Sequence, residues 1–193
     1  MVIIVYITIH KYKIMITQKY KILKEQPSDI NEHLDTLKRY AEECDIVVEL
    51  GTGLTISTWA FLAAKPKKFI TVDINQPTDS INFNELINEA KNLNVDFEFI
   101  LSDSRKIDLP EHDLLFIDTM HNYDVLKEEL LKHHSKVKKY IIFHDTISFG
   151  NADEFGNGIG LVPAIKEFLK NNPEWKEKET YINNNGLSVL MRK

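Results

Sequence analysis

The stretch from Asp45 to Leu50, DIVVEL, is an apolar run of strand length that stops directly at Gly51-Thr52-Gly53. A run this apolar suits a strand covered on both faces, and the glycines behind it permit a tight turn in which backbone approaches a ligand closely. Ser57 through Ala64 then reads as helical, and the amino end of such a helix offers amide donors without intrahelical partners. Strand, glycine turn and helix in that order open a parallel crossover unit, which predicts further alternation downstream.

The alternation is found. Lys68 to Ile74 predicts a second strand, with Pro77 and polar residues marking a loop and Phe83 to Lys91 a helix. Phe97 to Leu101, Asp113 to Ile117 and Tyr140 to Phe143 predict three more strands, and Tyr123 to His133 has helical spacing between the last two. Phe149 to Gly160 is a glycine-rich loop, Pro163 suits the first turn of a helix running to about Lys170, and Gly186 to Met191 predicts a short final strand behind the turn Asn183-Asn184-Asn185-Gly186. Ahead of the first strand, Ile30, Leu34 and Leu37 are spaced for a short helix to about Glu43, with Asp29 as its cap and Glu32 completing a capping pattern. The expected architecture is α/β: a Rossmann-like, doubly wound, mainly parallel sheet with helices on both faces, one domain over 29–193 and an extension or strand over 1–28.

Composition excludes several functions. A chain of 193 residues with 43% hydrophobic and 27% charged residues is an ordinary globule, and one cysteine, Cys44, makes no internal disulfide. The net charge of -5 argues against binding a long nucleic-acid backbone while leaving a small nucleotide-containing ligand open. The hydrophobic amino terminus is interrupted by His10, Lys11 and Lys13, is too short to span a membrane and has no secretory cleavage pattern, so a cytoplasmic location is the default expectation. Met15 leaves the first fourteen residues as an upstream extension or a loosely attached strand.

The glycine turn alone is compatible with a plain tight turn. Asp73, at the end of the next strand, adds a carboxylate placed to bind both hydroxyls of an adenosine ribose, a device that dinucleotide-binding folds share. Ile56 stands where a third fingerprint glycine would fall, so the turn is not a full pyrophosphate cradle. An oxidoreductase using NAD through an atypical motif stays as one alternative, and a non-catalytic cofactor- or glycan-binding protein as another.

VVELGTGLTISTWAFLA followed by ITVD resembles the first two cofactor motifs of class I S-adenosylmethionine-dependent methyltransferases. FILSDSRKI, DLLFIDTMHNY, YIIFHDT and the closing NNNGLSVLMRK resemble, in order, the strand-end motifs of a small group related to macrocin O-methyltransferase and cephalosporin-hydroxylase-like proteins. The resemblance covers roughly residues 29 to 193. It implies that Glu49, Gly51 and Gly53 surround the methionine part of S-adenosylmethionine, that Asp73 holds its ribose, that Asp103 and Ser104 lie near adenine, and that Asp118 faces the cofactor amino group or the reaction centre. A turn or helix cap is the competing reading of Asp103.

Chemistry beyond cofactor binding falls to the later strand ends. Asp118 ends an apolar run, where a charge is costly unless used, and His121 follows it with a side chain suited to removing a hydroxyl proton. His144-Asp145-Thr146 brings a second imidazole and carboxylate to the same edge. Asp118, Asp145 and Thr146 are the candidate oxygen ligands for Mg²⁺, with Thr146 in place of the Asn found in catechol-type sites, and His121 or His144 is the candidate base. Methyl transfer to an oxygen of a small hydroxylated acceptor, such as a sugar, is the implied reaction. The loop from Phe149 to Gly160 is a candidate cover, with Phe149 and Phe155 as apolar contacts, and a homo-oligomeric neighbour is a candidate for completing the acceptor pocket. Cys44, Trp59 and Trp175 read as packing residues, and the lysines at 65–68 and 136–139 as solvated strand starts.

Overall fold

The computed structural model describes residues 16–193, so the first fifteen residues and the readings made of them lie outside the described part. At its centre is β1 (Ile46–Leu50), flanked by β2 (Lys68–Asp73) and β4 (His112–Ile117), both parallel to it. Val47, Val48 and Leu50 have no exposed surface, and neither do Leu114, Leu115 and Phe116. That two-sided burial is what the unbroken apolar runs require, because alternation with polar residues would leave one face wet.

Among the described residues the sheet is completed by β3 (Asp96–Leu101), β5 (Val137–His144), β6 (Trp175–Tyr181) and β7 (Leu187–Arg192), giving seven strands in the order β3-β2-β1-β4-β5-β7-β6. The first five are parallel, and β7 runs antiparallel to both β5 and β6. Strand order reverses between β1 and β4. In open sheets of this kind the crevice outside the carboxyl ends of the strands at such a reversal is where ligands bind.

Successive side chains on a strand point to opposite faces, so Val47 and Val48 enter different cores. One face is covered by residues 16–25, here α1, by a short 3-10 turn (Asn31–His33) leading into α2 (Leu34–Ala41), and by α3 (Ile56–Ala64) and α4 (Ser80–Asn92). The other is covered by α5 (Tyr123–His133) and α6 (Leu161–Asn171). Trp59 and Trp175 are buried in these cores, as is Cys44, whose thiol donates to the Tyr40 carbonyl at 3.2 Å and is pushed up to about 12 chiefly by burial. Among the described residues no helix is long and apolar enough to cross a membrane.

Three local expectations change. Residues 16–25 are helical, with Ile16 buried against the first core, where an extension or strand was expected. Asp29 caps nothing: Ile30 precedes the 3-10 turn without a side-chain cap, and the Asn31 side chain accepts the Ser28 amide instead. β6 was not anticipated at all, because its sequence WKEKETY carries charges where a buried strand would carry aliphatics. Among the described residues it is an edge strand, with apolar contact at its two ends, Trp175 and Tyr181.

Candidate active site

The glycine turn is shaped from beneath by Glu49. Its carboxylate has no exposure and accepts three hydroxyls, from Ser57 at 2.6 Å, Thr58 at 2.8 Å and Thr71 at 2.7 Å. Because the Thr71 proton is committed to Glu49, the 2.6 Å contact between the Thr52 and Thr71 hydroxyls has Thr52 as donor. One carboxylate thus ties together β1, β2, the turn and the first residues of α3. Burial raises its pKa to about 7 against the three hydrogen bonds, which favour the charged form. Glu49 therefore sits below the surface that the sequence reading gave it.

Gly51 has φ +93°, and a Cβ there would lie 1.8 Å from the Asp118 carbonyl oxygen. Only glycine lets the ends of β1 and β4 come this close. Asp73 accepts the Thr52 and Gly53 amides, both at 3.0 Å, and the Asn75 amide at 2.8 Å, so the carboxylate closes the turn from the β2 side.

Gly51, Gly53, Asp73, Asp103, Ser104 and Asp118 line one cavity of about 420 Å³ across the ends of β1 to β4. That volume lies within the range of small-molecule sites, about 300 to 1,000 Å³. Asp103 is gripped by Arg105 through side-chain and backbone nitrogens, which holds its carboxyl at about 2 despite burial. Ser104 donates at 2.5 Å to Glu129 of α5, and Thr119 donates to the other oxygen of Glu129 at 3.0 Å. Glu129 thus joins the loops after β3 and β4 behind the cavity, and burial raises it to about 7. No reading of the sequence singled it out. The available signal was position, since Glu129 shares the buried face of α5 with Leu126, Leu130 and His133.

A second cavity, of about 230 Å³, lies on the other side of the turn. Gly51, Gly53 and Asp118 line both, and the second adds His121, Asp145 and Asp29. His121 Nε2 is 2.9 Å from Asp145 and 3.5 Å from Asp118, while Nδ1 is 3.2 Å from Glu154. Burial opposes the charged ring, but the Asp118 and Asp145 contacts prevail and lift His121 to about 10. Its ring stacks on Phe149, with centroids 4.7 Å apart. Glu154 belongs to the glycine-rich loop and also lines the larger cavity, so this loop meets the site through Phe149 and Glu154, while Phe155 is exposed.

His144 takes a different place from the one expected. It is 1% exposed and lines neither cavity. Nε2 faces the carbonyls of Asp29 at 3.1 Å and Asn184 at 3.2 Å, so that nitrogen carries the proton, and Nδ1 faces Asp118 at 3.3 Å and Asp145 at 3.4 Å. Against the cost of burial, the two carboxylates raise it to about 10. His144 holds the carboxylates in place rather than reaching a ligand.

Asp145 adopts φ +59°, a left-handed turn that aspartate tolerates better than most residues. The turn aims its carboxylate at the two histidines and sends Thr146 the other way, to a 3.2 Å contact with Ser188 on β7. Of the expected ligands Asp118, Asp145 and Thr146, the last is buried against Ser188 and lines neither cavity. Asp118, His121 and Asp145 are brought together, with one donor atom from each within 4.8 Å of the others. Asp145 Oδ1 is buried without a hydrogen-bond partner, an unfilled valence that fits a cation held by this set.

Neither protein-family models nor curated protein sequences give a match to the chain. Solved structures do. A Bacillus cereus O-methyltransferase in complex with S-adenosylhomocysteine aligns over 96% of this chain and 90% of its own, with TM-score 0.62 and 12% identity. The fold is that of the Rossmann-like methyltransferases. TomG, an O-methyltransferase of Streptomyces achromogenes in complex with S-adenosylmethionine, aligns over 87% of this chain and 82% of its own at TM-score 0.60 and 12% identity. The S-adenosylhomocysteine-bound methyltransferase PaMTH1 of Podospora anserina covers 92% and 87%, at TM-score 0.60 and 12% identity.

Proposed function

We propose that the chain transfers a methyl group from S-adenosylmethionine to an oxygen of a small hydroxylated acceptor, a sugar being one fitting class, and that it is a relative of the macrocin O-methyltransferase group. The observation that carries this reading is the meeting of two cavities at Gly51, Gly53 and Asp118, one lined by Asp73 and Asp103, the other by His121 and Asp145. A donor on one side and an acceptor on the other would touch only there. Cavity shape and the order of strand-end carboxylates support the cofactor assignment, and the methyltransferase fold agrees with it.

In this reading Asp73 accepts a ribose hydroxyl through Oδ1, which keeps a lone pair after serving one backbone amide, while Oδ2 serves two. The Asp103 and Ser104 wall faces adenine, and Gly51 leaves room for the methionine portion. Glu49 holds the turn from below. When bound, S-adenosylmethionine supplies a methyl group already activated as a sulfonium, so the chain has chiefly to position the two partners. Asp145, or His121 once its ring has given up the proton that Asp118 and Asp145 hold on it, would be the group placed to take the proton of an acceptor hydroxyl. With the His121 proton displaced, Asp118, His121 and Asp145 would hold a divalent cation, Mg²⁺ being the expected one, which would lower the proton affinity of the acceptor hydroxyl.

Calorimetric titration with S-adenosylmethionine, S-adenosylhomocysteine and NAD tests the reading. Saturable binding of the first two but not NAD is expected, and absence of both from folded protein would remove it. Asp118→Asn and His121→Gln, assayed separately, are expected to retain S-adenosylhomocysteine while losing turnover.

A further inference from the structure

We propose that the acceptor carries a cationic amine beside its hydroxyl, and that Asp29 is the counter-charge selecting it. The inference rests on the methyl-transfer reading and assigns the substrate class of the same site. The acceptor-side cavity continues outward into a third space of about 510 Å³, the two sharing Asp29, Leu54 and Ile56. Leu23 and Pro27 give this outer space further apolar wall, and Asp79 stands at its rim. Among the described residues the two cavities carry Asp29, Asp79, Asp118 and Asp145, and no lysine or arginine lines either.

Asp29 differs from the other acids. Asp79 accepts the Asn82 amide as the cap of α4, and Asp118 and Asp145 face the two histidines. The Asp29 backbone is pinned, its carbonyl accepting His144 Nε2 at 3.1 Å and the neighbouring Ser28 carbonyl accepting the Asn184 amide group at 2.8 Å. Yet its exposed carboxylate makes no hydrogen bond or ion pair among the described residues. Lys24, whose carbonyl accepts the Asn31 side chain, is engaged with Asp35 at 2.5 Å. A carboxylate without a partner, carried on a pinned backbone at the junction of two cavities with apolar walls, can meet a cation on an amphiphilic molecule. The cationic His121 lies at the inner end of this space, against Asp118 and Asp145, so a phosphate or carboxylate at the outer end, by Asp29 and Asp79, would meet like charge. An acceptor whose hydroxyl lies by His121 and Asp145 would point its far end past Leu54 to Asp29.

The test uses three phenols of similar shape, namely tyramine, para-ethylphenol and para-hydroxyphenylpropionate, titrated by ligand-observed NMR into the full chain with and without saturating S-adenosylhomocysteine. Tyramine is expected to bind roughly fivefold more tightly than para-ethylphenol, as a partly exposed ion pair permits, with the carboxylate weakest. Asp29→Asn should erase that advantage and Asp29→Lys should pass it to para-hydroxyphenylpropionate. Equal binding of the three, no binding of any, or a tyramine preference that survives in Asp29→Asn overturns the proposal. S-adenosylhomocysteine titrated into the same samples separates the two readings. Its failure to bind, with the Asp29-dependent preference intact, brings down methyl transfer alone; its binding without the preference brings down the amine alone.

Discussion

Glu49 and Asp145 are both buried carboxylates at strand ends, and their surroundings set them to opposite uses. Glu49 is met by three hydroxyls, neutral donors that leave it near the balance point of its proton, at about 7. Asp145 is met by two imidazoles that, against burial, hold it well below the usual carboxylate range, and one of its oxygens has no partner. Neutral donors that use a carboxylate fully make it a fastening. Cationic donors that use it partly keep it charged and leave it a free valence, which is what a reacting site needs.

Glu49→Ala should break this contrast most severely. Removing the shared acceptor strands three buried hydroxyls and opens a void, at a cost of about 3 to 5 kcal/mol in chemical denaturation, and S-adenosylhomocysteine binding should go with the turn. Glu49→Gln should sharpen it. A group raised from 4.5 to about 7 on folding contributes stability that is complete below pH 4.5 and is lost as pH rises through about 7. The glutamine variant should lack that fall, worth on the order of 3 kcal/mol, so parallel pH curves for wild type and variant would show that Glu49 is ionised throughout.

Asp145→Asn should give the mirror image. Its depressed pKa contributes stability present above about pH 4 and lost as pH falls below it, so the variant should be about 2 kcal/mol less stable at neutral pH and converge with wild type in acid. Divalent cation binding, followed by Mn²⁺ electron paramagnetic resonance, should be lost with it. The smallest effect belongs to Thr146→Val, under about 1 kcal/mol for one neutral contact to Ser188. Unchanged Mn²⁺ binding is expected, and a loss would return Thr146 to the ligand set.

Sequence shows the fastening half of this molecule better than the reacting half. Glu49, Gly51, Gly53 and Asp73 stand at the junction of apolar runs with glycine and polar residues, where chain direction must change, so their neighbourhood follows from local pattern alone. Asp118 and Asp145 were found the same way. What local pattern cannot carry is the left-handed twist at Asp145, which separates it from Thr146 despite their adjacency. Nor can it carry the reach of Glu154 back to His121 across the loop. His144 read as a reactive group because its partners, Asp29 and Asn184, lie far away along the chain. β6 escaped because an edge strand needs no apolar alternation.

That same edge has a consequence for how copies of the chain can meet. β6 displays Lys176, Glu177 and Lys178 in succession, all exposed, and the opposite border of the sheet, β3, displays Asp96 and Glu98, both salt-bridged to Lys68. Open borders of a sheet invite another chain to add a strand, and charged side chains make that addition unfavourable by stripping water from ions that have no new partner. Among the described residues, growth of the sheet from either border is therefore discouraged.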